Sequence, residues 1–183
     1  MISTRVRKIA ATGVIGVLVA LAGPTAAHAT PGDSRWGLLN LNTHQQNVDA
    51  VMAPSSSVNA ARVVLRTLQL TSSGDFPAIE NWRVTRNGDY YRFTNVSTGK
   101  RLGVSGGSTD NYVAIIAATP DNSLNQDWYF GTNSNYPSAV RQIKNRKSSK
   151  CIGVNGGSVS PGAGLIQAPC DGRANQGWYT VDN

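Results

Sequence analysis

The 183-residue chain has few of the residues that most often build catalytic and metal sites. It contains two cysteines, two histidines and two methionines, and only 15% of its residues are charged. The spacing of Cys151 and Cys170 fits no metal site, and no Gly-x-Ser-x-Gly sequence supplies a nucleophile. We therefore expect no metal, no cofactor and no catalytic residues.

Long apolar runs are also rare, and the one that exists lies near the N-terminus. Residues 9–22 carry no charge, follow three basic residues and precede the small-x-small sequence Ala27-His28-Ala29. This order is typical of a secretory signal peptide, and the run is shorter than the roughly 20 residues that cross a membrane. We predict a signal peptide at 1–29, a mature domain at 30–183, and secretion without membrane insertion.

Positive charge is in modest excess. The formal charge is +7, but three of the cations lie in the predicted signal peptide and the others are scattered. Nucleic-acid binding needs clustered cations, so we expect no nucleic-acid partner.

The two cysteines are expected to pair. Export brings the chain into an oxidising compartment, where disulfides form and persist. A bridge between Cys151 and Cys170 would close a loop of about 20 residues and contribute roughly 3 kcal/mol on the chain-entropy model.

An internal repeat determines the predicted organisation. The sequence GVSGGS at 103–108 returns 50 residues later as GVNGGS, and NQDWY at 125–129 returns 50 residues later as NQGWY. A weaker copy lies upstream and contains Trp82. A repeat of this length indicates stacked or symmetric units. We predict three units, at about 34–85, 86–134 and 135–183.

Each unit is predicted to consist of short strands. Runs of four to six β-favouring residues alternate with clusters of Gly, Asn, Ser and Pro, and no long helical period is present. Asn87-Gly88 within residues 82–93 is typical of a two-residue hairpin turn. A four-stranded unit is too small to bury its own apolar face. We therefore predict an all-β protein, a β-trefoil of three pseudo-threefold repeats.

The sequence that closes each unit resembles the Q-x-W motif of ricin B-type lectin domains. The three copies, the first of them degenerate, are Glu80-Asn81-Trp82, Gln126-Asp127-Trp128 and Gln176-Gly177-Trp178. The spacing of Cys151 and Cys170 is also similar to the disulfide within one repeat of that family. The resemblance extends over the whole mature chain. It implies a non-enzymatic domain that binds glycans or polysaccharides, with galactose-type sugars expected.

The resemblance also implies the composition of each sugar pocket. The family uses an aspartate for neighbouring hydroxyls, an aromatic ring for the apolar sugar face, and an Asn-Gln pair for orientation. Allowing one inserted residue in the first unit aligns Asp49 with Gly103 and Gly153, so that only the first unit keeps the acid. Arg66 stands at the ring position of that unit, and Ala118 and Ala168 stand at the ring positions of the second and third units.

No unit therefore has a complete family site. The candidate ligand-binding residues are Asp49, Arg66, Glu80, Asn125, Gln126, Asn175 and Gln176. For the Asn and Gln residues, the alternative is a structural role beneath the closing turn. For Asp49 it is a turn-capping acid, and Asp49, Arg66 and Glu80 together could equally form an internal ion pair.

Three further aromatic residues are expected to be exposed and could replace the missing rings. They are Tyr112, Tyr136 and Phe76, the last of which lies in an unusually long loop at 69–78. Trp36 aligns with a strand entry and is expected to pack.

Two other functions compete with sugar binding. A protein-binding trefoil, such as an inhibitor of a secreted hydrolase, is suggested by the degenerate sugar positions and the long 69–78 loop. An enzyme would need a base paired with a nucleophile, and the sequence suggests no such partner for His44. Asp49 and Glu80 form the one carboxylate pair worth noting.

Overall fold

The computed structural model describes residues 34–182 as an almost entirely β structure, and the predicted signal peptide lies outside this range. The strands are β1 (Ser34–Asn40), β2 (Ala50–Pro54), β3 (Ala61–Thr67), β4 (Trp82–Asn87), β5 (Tyr90–Asn95), β6 (Arg101–Val104), β7 (Ile115–Ala118), β8 (Trp128–Gly131), β9 (Val140–Asn145), β10 (Cys151–Val154), β11 (Leu165–Ala168) and β12 (Trp178–Asp182). The helix α1 (Leu41–Gln45) and five 3₁₀ turns complete the described elements, the turns lying at Ala78–Glu80, Ser105–Gly107, Leu124–Gln126, Asn155–Gly157 and Ala174–Gln176. None of the helices between residues 34 and 182 has the length and apolar character needed to cross a bilayer.

The strands form a closed barrel capped by three hairpins. The barrel runs β1-β4-β5-β8-β9-β12 and closes where β12 pairs with β1, and all of these pairings are antiparallel. The hairpins β2-β3, β6-β7 and β10-β11 meet one another through short bridges such as Val64 to Gly164 and Ala114 to Ile166. This architecture confirms the predicted β-trefoil. Strand β4 continues to Asn87, so the unit boundary expected at residue 85 falls inside it.

Three tryptophans in equivalent positions form the centre of the core. Each is fully buried at the start of the last strand of its unit, and its indole N–H donates to a carbonyl of the second strand at 3.0 Å. Burial of a large ring is favourable only if its N–H finds an acceptor, and here the same acceptor is supplied in every unit. The pairs are Trp82 with Met52, Trp128 with Leu102, and Trp178 with Ile152.

These hydrogen bonds correct the alignment of the first unit. Because Met52 matches Leu102, the residue that matches Gly103 is Ala53 and not Asp49. The prediction of a single inserted residue was wrong, since the first unit contains the whole of α1, five residues long, between β1 and β2. The helix keeps α1 residues Leu41 and Thr43 buried, so the insertion is packed against the fold and gives no gap in the strands.

Three buried asparagines tie each unit to its neighbour. Each ends the first strand of its unit and donates its side-chain N–H to a carbonyl in the 3₁₀ turn of the preceding unit, at 2.8–3.1 Å. A buried amide without partners would be costly, so these bonds fix the three closing turns. The donors and acceptors are Asn95 to Ile79, Asn145 to Asn125, and Asn40 to Asn175.

The doubled glycine sequence forms the same turn in two units. Gly106 and Gly107 have φ of 61° and 59°, and Gly156 and Gly157 have φ of 63° and 66°. Two successive left-handed residues are accessible mainly to glycine, which explains why the letters repeat. The disulfide Cys151–Cys170, with a sequence separation of 19, lies within the third unit, as predicted.

Candidate functional site

The position of the family's aspartate holds no acid in any unit. The three matched residues are Ala53, Gly103 and Gly153. The space above the two glycines is also partly filled, because a Cβ added at Gly153 would lie 2.9 Å from Gln176 Cγ and 3.3 Å from Asn175 Nδ2. The corresponding distances at Gly103 are 3.1 and 3.4 Å. Side chains of the closing turn therefore occupy the place where an acid would project.

Asn125 and Asn175 have the same environment in their two units. Each is half-buried, and its Nδ2 donates to the carbonyl of the last residue of the second strand, Val104 at 3.1 Å and Val154 at 3.0 Å. A primary amide has two N–H donors and an oxygen acceptor, so this bond uses one donor of each. The other donor and the acceptor of each amide could serve a sugar hydroxyl.

Gln126 and Gln176 are buried, and their polar atoms are engaged within the protein. Each has 2% of its surface exposed. Nε2 donates to a carbonyl at 3.0 and 2.8 Å, and Oε1 accepts a backbone N–H at 3.1 Å in both units. This geometry corresponds to the structural role considered from the sequence.

In the first unit, Glu80 replaces the glutamine and lies beside Arg66. Glu80 is 2% exposed, its Oε1 is 3.7 Å from Arg66 Nε, and its Oε2 accepts the backbone N–H of Gln69 at 3.4 Å. Burial raises the pKa of the Glu80 carboxyl, and the Gln69 N–H and the Arg66 charge oppose this only in part. Arg66 also lines an open cleft of about 450 Å³ together with Ser55 and Pro161.

Asp49 takes no part in the Arg66–Glu80 ion pair. Its Oδ1 is hydrogen-bonded to His44 Nδ1 at 2.8 Å, and the His44 ring packs edge-on against Tyr179. The alignment that made Asp49 the surviving family acid was therefore wrong, because α1 shifts it four positions before Ala53. His44 does have a partner, one that the sequence did not reveal.

Only one of the three aromatic candidates is exposed. Tyr112 is 69% exposed, whereas Tyr136 at 9% and Phe76 at 8% are buried in a second apolar cluster, so the expectation of exposure was wrong for both. Tyr136 donates to the Arg173 carbonyl at 2.8 Å, and burial raises its pKa to about 12. Trp36 packs against the main core, as expected.

Comparison with known proteins identifies the family. The sequence model of the ricin-type beta-trefoil lectin domain-like family matches residues 79–141 and 124–183, which together are more than half of the chain. The chain belongs to this family. A comparison of its sequence with curated proteins found no match.

Solved structures share the fold of this lectin-like domain. The designed threefold-symmetric protein ThreeFoil superposes with a TM-score of 0.69 and 24% identity over 81% of this chain and 99% of its own. The ricin B-like lectin of Macrolepiota procera, in complex with lactose, gives 0.66 and 14% over 84% and 98%. An exo-β-1,3-galactanase from Clostridium thermocellum gives 0.70 and 26% over 84% of this chain, which spans only 31% of that enzyme's chain.

The lectin-like domain also contains a charged cluster that was not predicted from the sequence. Asp127 is 1% exposed and accepts hydrogen bonds from Arg92 Nε at 2.6 Å, Arg146 at 2.9 Å and Asn87 at 3.0 Å. Burial alone would raise the pKa of Asp127, but these hydrogen bonds together hold it below its usual value. The Arg146 guanidinium lies 4.2 Å from the centre of the Tyr90 ring. In the sequence, the feature that could have indicated this cluster is Asp127 itself, an acid in the middle of Gln-Asp-Trp where the third unit has Gly177.

Proposed function

We propose that this protein is a secreted carbohydrate-binding domain whose individual sites are weak and which holds a polymer or a cell surface through several sites at once. Membership of the lectin-like family supports sugar binding. The observation that carries the proposal is the matched pair Asn125 and Asn175, two half-buried amides with one N–H fixed in the same way in both units. Galactose-type sugars are the proposed ligands, since the Macrolepiota procera lectin of the same fold is in complex with lactose.

Weak binding follows from the missing acid. A carboxylate that accepts hydrogen bonds from sugar hydroxyls contributes about 1.5–3 kcal/mol, so its absence lowers affinity by about ten- to a hundred-fold. Ala53, Gly103 and Gly153 provide no acceptor in their side chains. Weak sites become useful when several engage one polymer, because the later contacts are then intramolecular.

Secretion is part of the proposal and is supported by two features. Residues 1–29 have the composition of a signal peptide, and the described domain contains a disulfide, which is typical of oxidising compartments. The proposed domain has no enzymatic activity of its own.

The experiment is a glycan array with residues 30–183, disulfide intact, followed by affinity electrophoresis through galactose-, mannose- and xylose-based polymers. We expect retardation that falls strongly in the double variant Asn125→Ala/Asn175→Ala. The matched control is Asn122→Ala, an exposed asparagine in the loop before the same closing turn, which should migrate like the wild type. If the wild type binds no glycan, the proposal is overturned. If the double variant is retarded as strongly as the wild type, Asn125 and Asn175 do not contact the sugar.

A protein partner is the second candidate. The absence of the acid from all three family positions favours it, because a fold that no longer holds sugars could still present its loops. Inhibition of one member of a panel of secreted proteases and glycosidases, with no signal on the glycan array, would support this function. Failure to inhibit any of them would count against it.

A further inference from the structure

Tyr112 is the exposed aromatic residue of this domain. It is 69% exposed, and every other Phe, Trp and Tyr among residues 34–182 is at least partly buried. An isolated exposed apolar residue needs no explanation in general. Tyr112 is unusual because its backbone and its surroundings are both specialised.

The backbone of Tyr112 is in the left-handed region, with φ of 64°. The matched residues of the other two hairpins are Ala60, with φ of 60°, and Gly162, with φ of 86°. The turn therefore imposes this conformation in every unit, and glycine adopts it at the least cost. Ala60 shows that a side chain is tolerated there. A large ring at this position, mostly exposed to solvent, gains little from packing to offset the strain.

A buried glutamine from the third unit holds the turn that carries the ring. Gln167 is fully buried, and its Nε2 donates to the carbonyls of Ser108 at 3.0 Å and Asp110 at 2.7 Å. Its backbone carbonyl accepts the N–H of Tyr112 at 2.8 Å. Its Oε1 accepts the hydroxyl of Ser148 at 2.7 Å, so the buried amide is satisfied on both sides.

The side-chain part of this clamp is specific to the turn of Tyr112, whereas the backbone bond recurs where the Gly162 N–H donates to the Leu65 carbonyl at 2.8 Å. The residues that match Gln167 in the other two units are Leu65 and Ala117, which are apolar and buried. A core position is thus occupied by a polar residue whose Nε2 and backbone carbonyl both bond to the turn that carries Tyr112. A turn whose backbone is held in this way loses little conformational freedom when a ligand binds to it, which favours a binding platform.

The polar residues that precede Tyr112 in the turn indicate the class of ligand. Asp110, two residues before Tyr112, carries a carboxylate that accepts the Ser108 hydroxyl at 2.9 Å, which uses one of its several acceptor positions. Asn111 is exposed between them. A ring for an apolar C–H face next to an acceptor for hydroxyls is the chemistry that recognises a pyranose.

We propose that the turn at residues 108–112 is a separate glycan-binding site, in which a pyranose stacks on Tyr112 and its hydroxyls bond to Asp110. This turn lies at the tip of the β6-β7 hairpin, whereas the family's pocket positions in the same unit are Gly103, Ala118 and Asn125. The inference rests on the proposed function, because it assumes that glycans are the ligands.

The test compares two substitutions to glycine at matched positions. Tyr112→Gly removes the ring and the strain, so the melting temperature should rise by about 3 °C while retention by the best glycan polymer weakens by about tenfold. Ala60→Gly should give a similar rise in melting temperature with unchanged retention. Tyr112→Phe keeps a stacking face and should retain binding.

The outcomes separate this inference from the proposed function. If Tyr112→Gly is retained as strongly as the wild type, this inference is overturned and the proposed function is not. The same holds if Ala60→Gly loses retention to the same extent as Tyr112→Gly. If Tyr112→Gly loses retention and Asn125→Ala/Asn175→Ala keeps it, the turn is the site that binds glycans and the asparagines are not part of it. A wild type that no glycan retains would overturn both proposals.

Discussion

Arg92 and Asp127 form a buried ion pair in which Arg92 Nε donates to Asp127 Oδ1 over 2.6 Å. Arg146, from the next unit, donates to the other oxygen at 2.9 Å, so one acid links the second and third units. We predict that Asp127→Ala lowers the free energy of unfolding by about 3 kcal/mol, because it leaves two guanidinium groups without their anion. Urea denaturation measures this. Asp89→Ala, at an exposed acid, should change the free energy by less than about 0.5 kcal/mol.

The same pair predicts a pH dependence. Despite burial, the hydrogen bonds from Arg92, Arg146 and Asn87 hold the pKa of Asp127 in the folded protein below its ordinary value. Its contribution is therefore fully present above that ordinary value and is lost as the pH falls through the lowered pKa. Denaturation midpoints should fall less steeply with acidification in Asp127→Ala than in the wild type. Equal slopes in the two proteins would show that another acid dominates.

Glu80→Gln is predicted to stabilise the protein at neutral pH. Burial raises the pKa of Glu80 in the folded state, so its effect on stability becomes less favourable as the pH rises from the ordinary value of 4.5 through the raised one. The matched Gln126 and Gln176 each donate to a carbonyl, which an ionised Glu80 cannot do. We expect a gain of about 1 kcal/mol at pH 7 that shrinks below pH 4.5, measured by urea denaturation.

The reciprocal substitution is the control for this prediction. Gln126→Glu places a carboxylate in the corresponding position of the second unit and should lower stability at pH 7 more than at pH 4. A destabilised Glu80→Gln variant at pH 7 would mean that the ion pair with Arg66 outweighs the burial of the charge.

The disulfide supplies a further prediction, because it lies in one unit only. The matched residues of the second unit are Arg101 and Pro120, so the fold itself does not require a bridge. We expect Cys151→Ala/Cys170→Ala to fold and to lose about 3 kcal/mol of unfolding free energy, mainly through a less constrained unfolded chain. Reducing agent should lower the urea midpoint of the wild type and leave that of the variant unchanged. If reducing agent lowered the urea midpoint of both proteins equally, the disulfide would not be the source of this stability.

Restoring the family's pocket should create a stronger sugar site. Gly103→Asp combined with Ala118→Tyr supplies the acid and the ring beside Asn125. We expect about a tenfold gain in lactose affinity by calorimetric titration and a stability loss of about 1 kcal/mol, because Gln126 must yield to the new Cβ. Gly103→Asn with Ala118→Tyr has the same shape without the charge and should gain less. No gain in the first variant would mean that the backbone of the pocket has also changed.

Repetition made the fold predictable, and its interruption caused the main error. Equal spacing of the glycine and tryptophan sequences fixed the second and third units without any structural information. In the first unit, α1 adds residues with no counterpart, and a sequence comparison that minimises insertions placed Asp49 where Ala53 belongs. The indole hydrogen bond from Trp82 to Met52 and the pairing of Ala53 with Val64 reveal the true register.

Burial of individual side chains was predicted less well than the fold. Phe76 and Tyr136 lie in loops, where sequence suggests exposure, but both turn inward to a second apolar cluster with Leu41 and Tyr179. The partners of a buried charge were equally hidden, since Asp127 is held by Arg92 and Arg146, which are distant in sequence. Such contacts depend on tertiary packing, which local patterns do not encode.

The closure of the barrel by β1 and β12 bears on the order in which the domain can be built. Trp36 faces Asp182 and Asn40 faces Trp178, so the first strand of residues 34–182 pairs with the last strand of that range. Until β12 is made, β1 has an unpaired edge on that side, and the carbonyl that accepts the side-chain N–H of Asn40 belongs to Asn175, only three residues before β12 begins. The trefoil can therefore be completed only after synthesis has reached its final strand, and a nascent chain arrested before β12 should be the form most prone to aggregate.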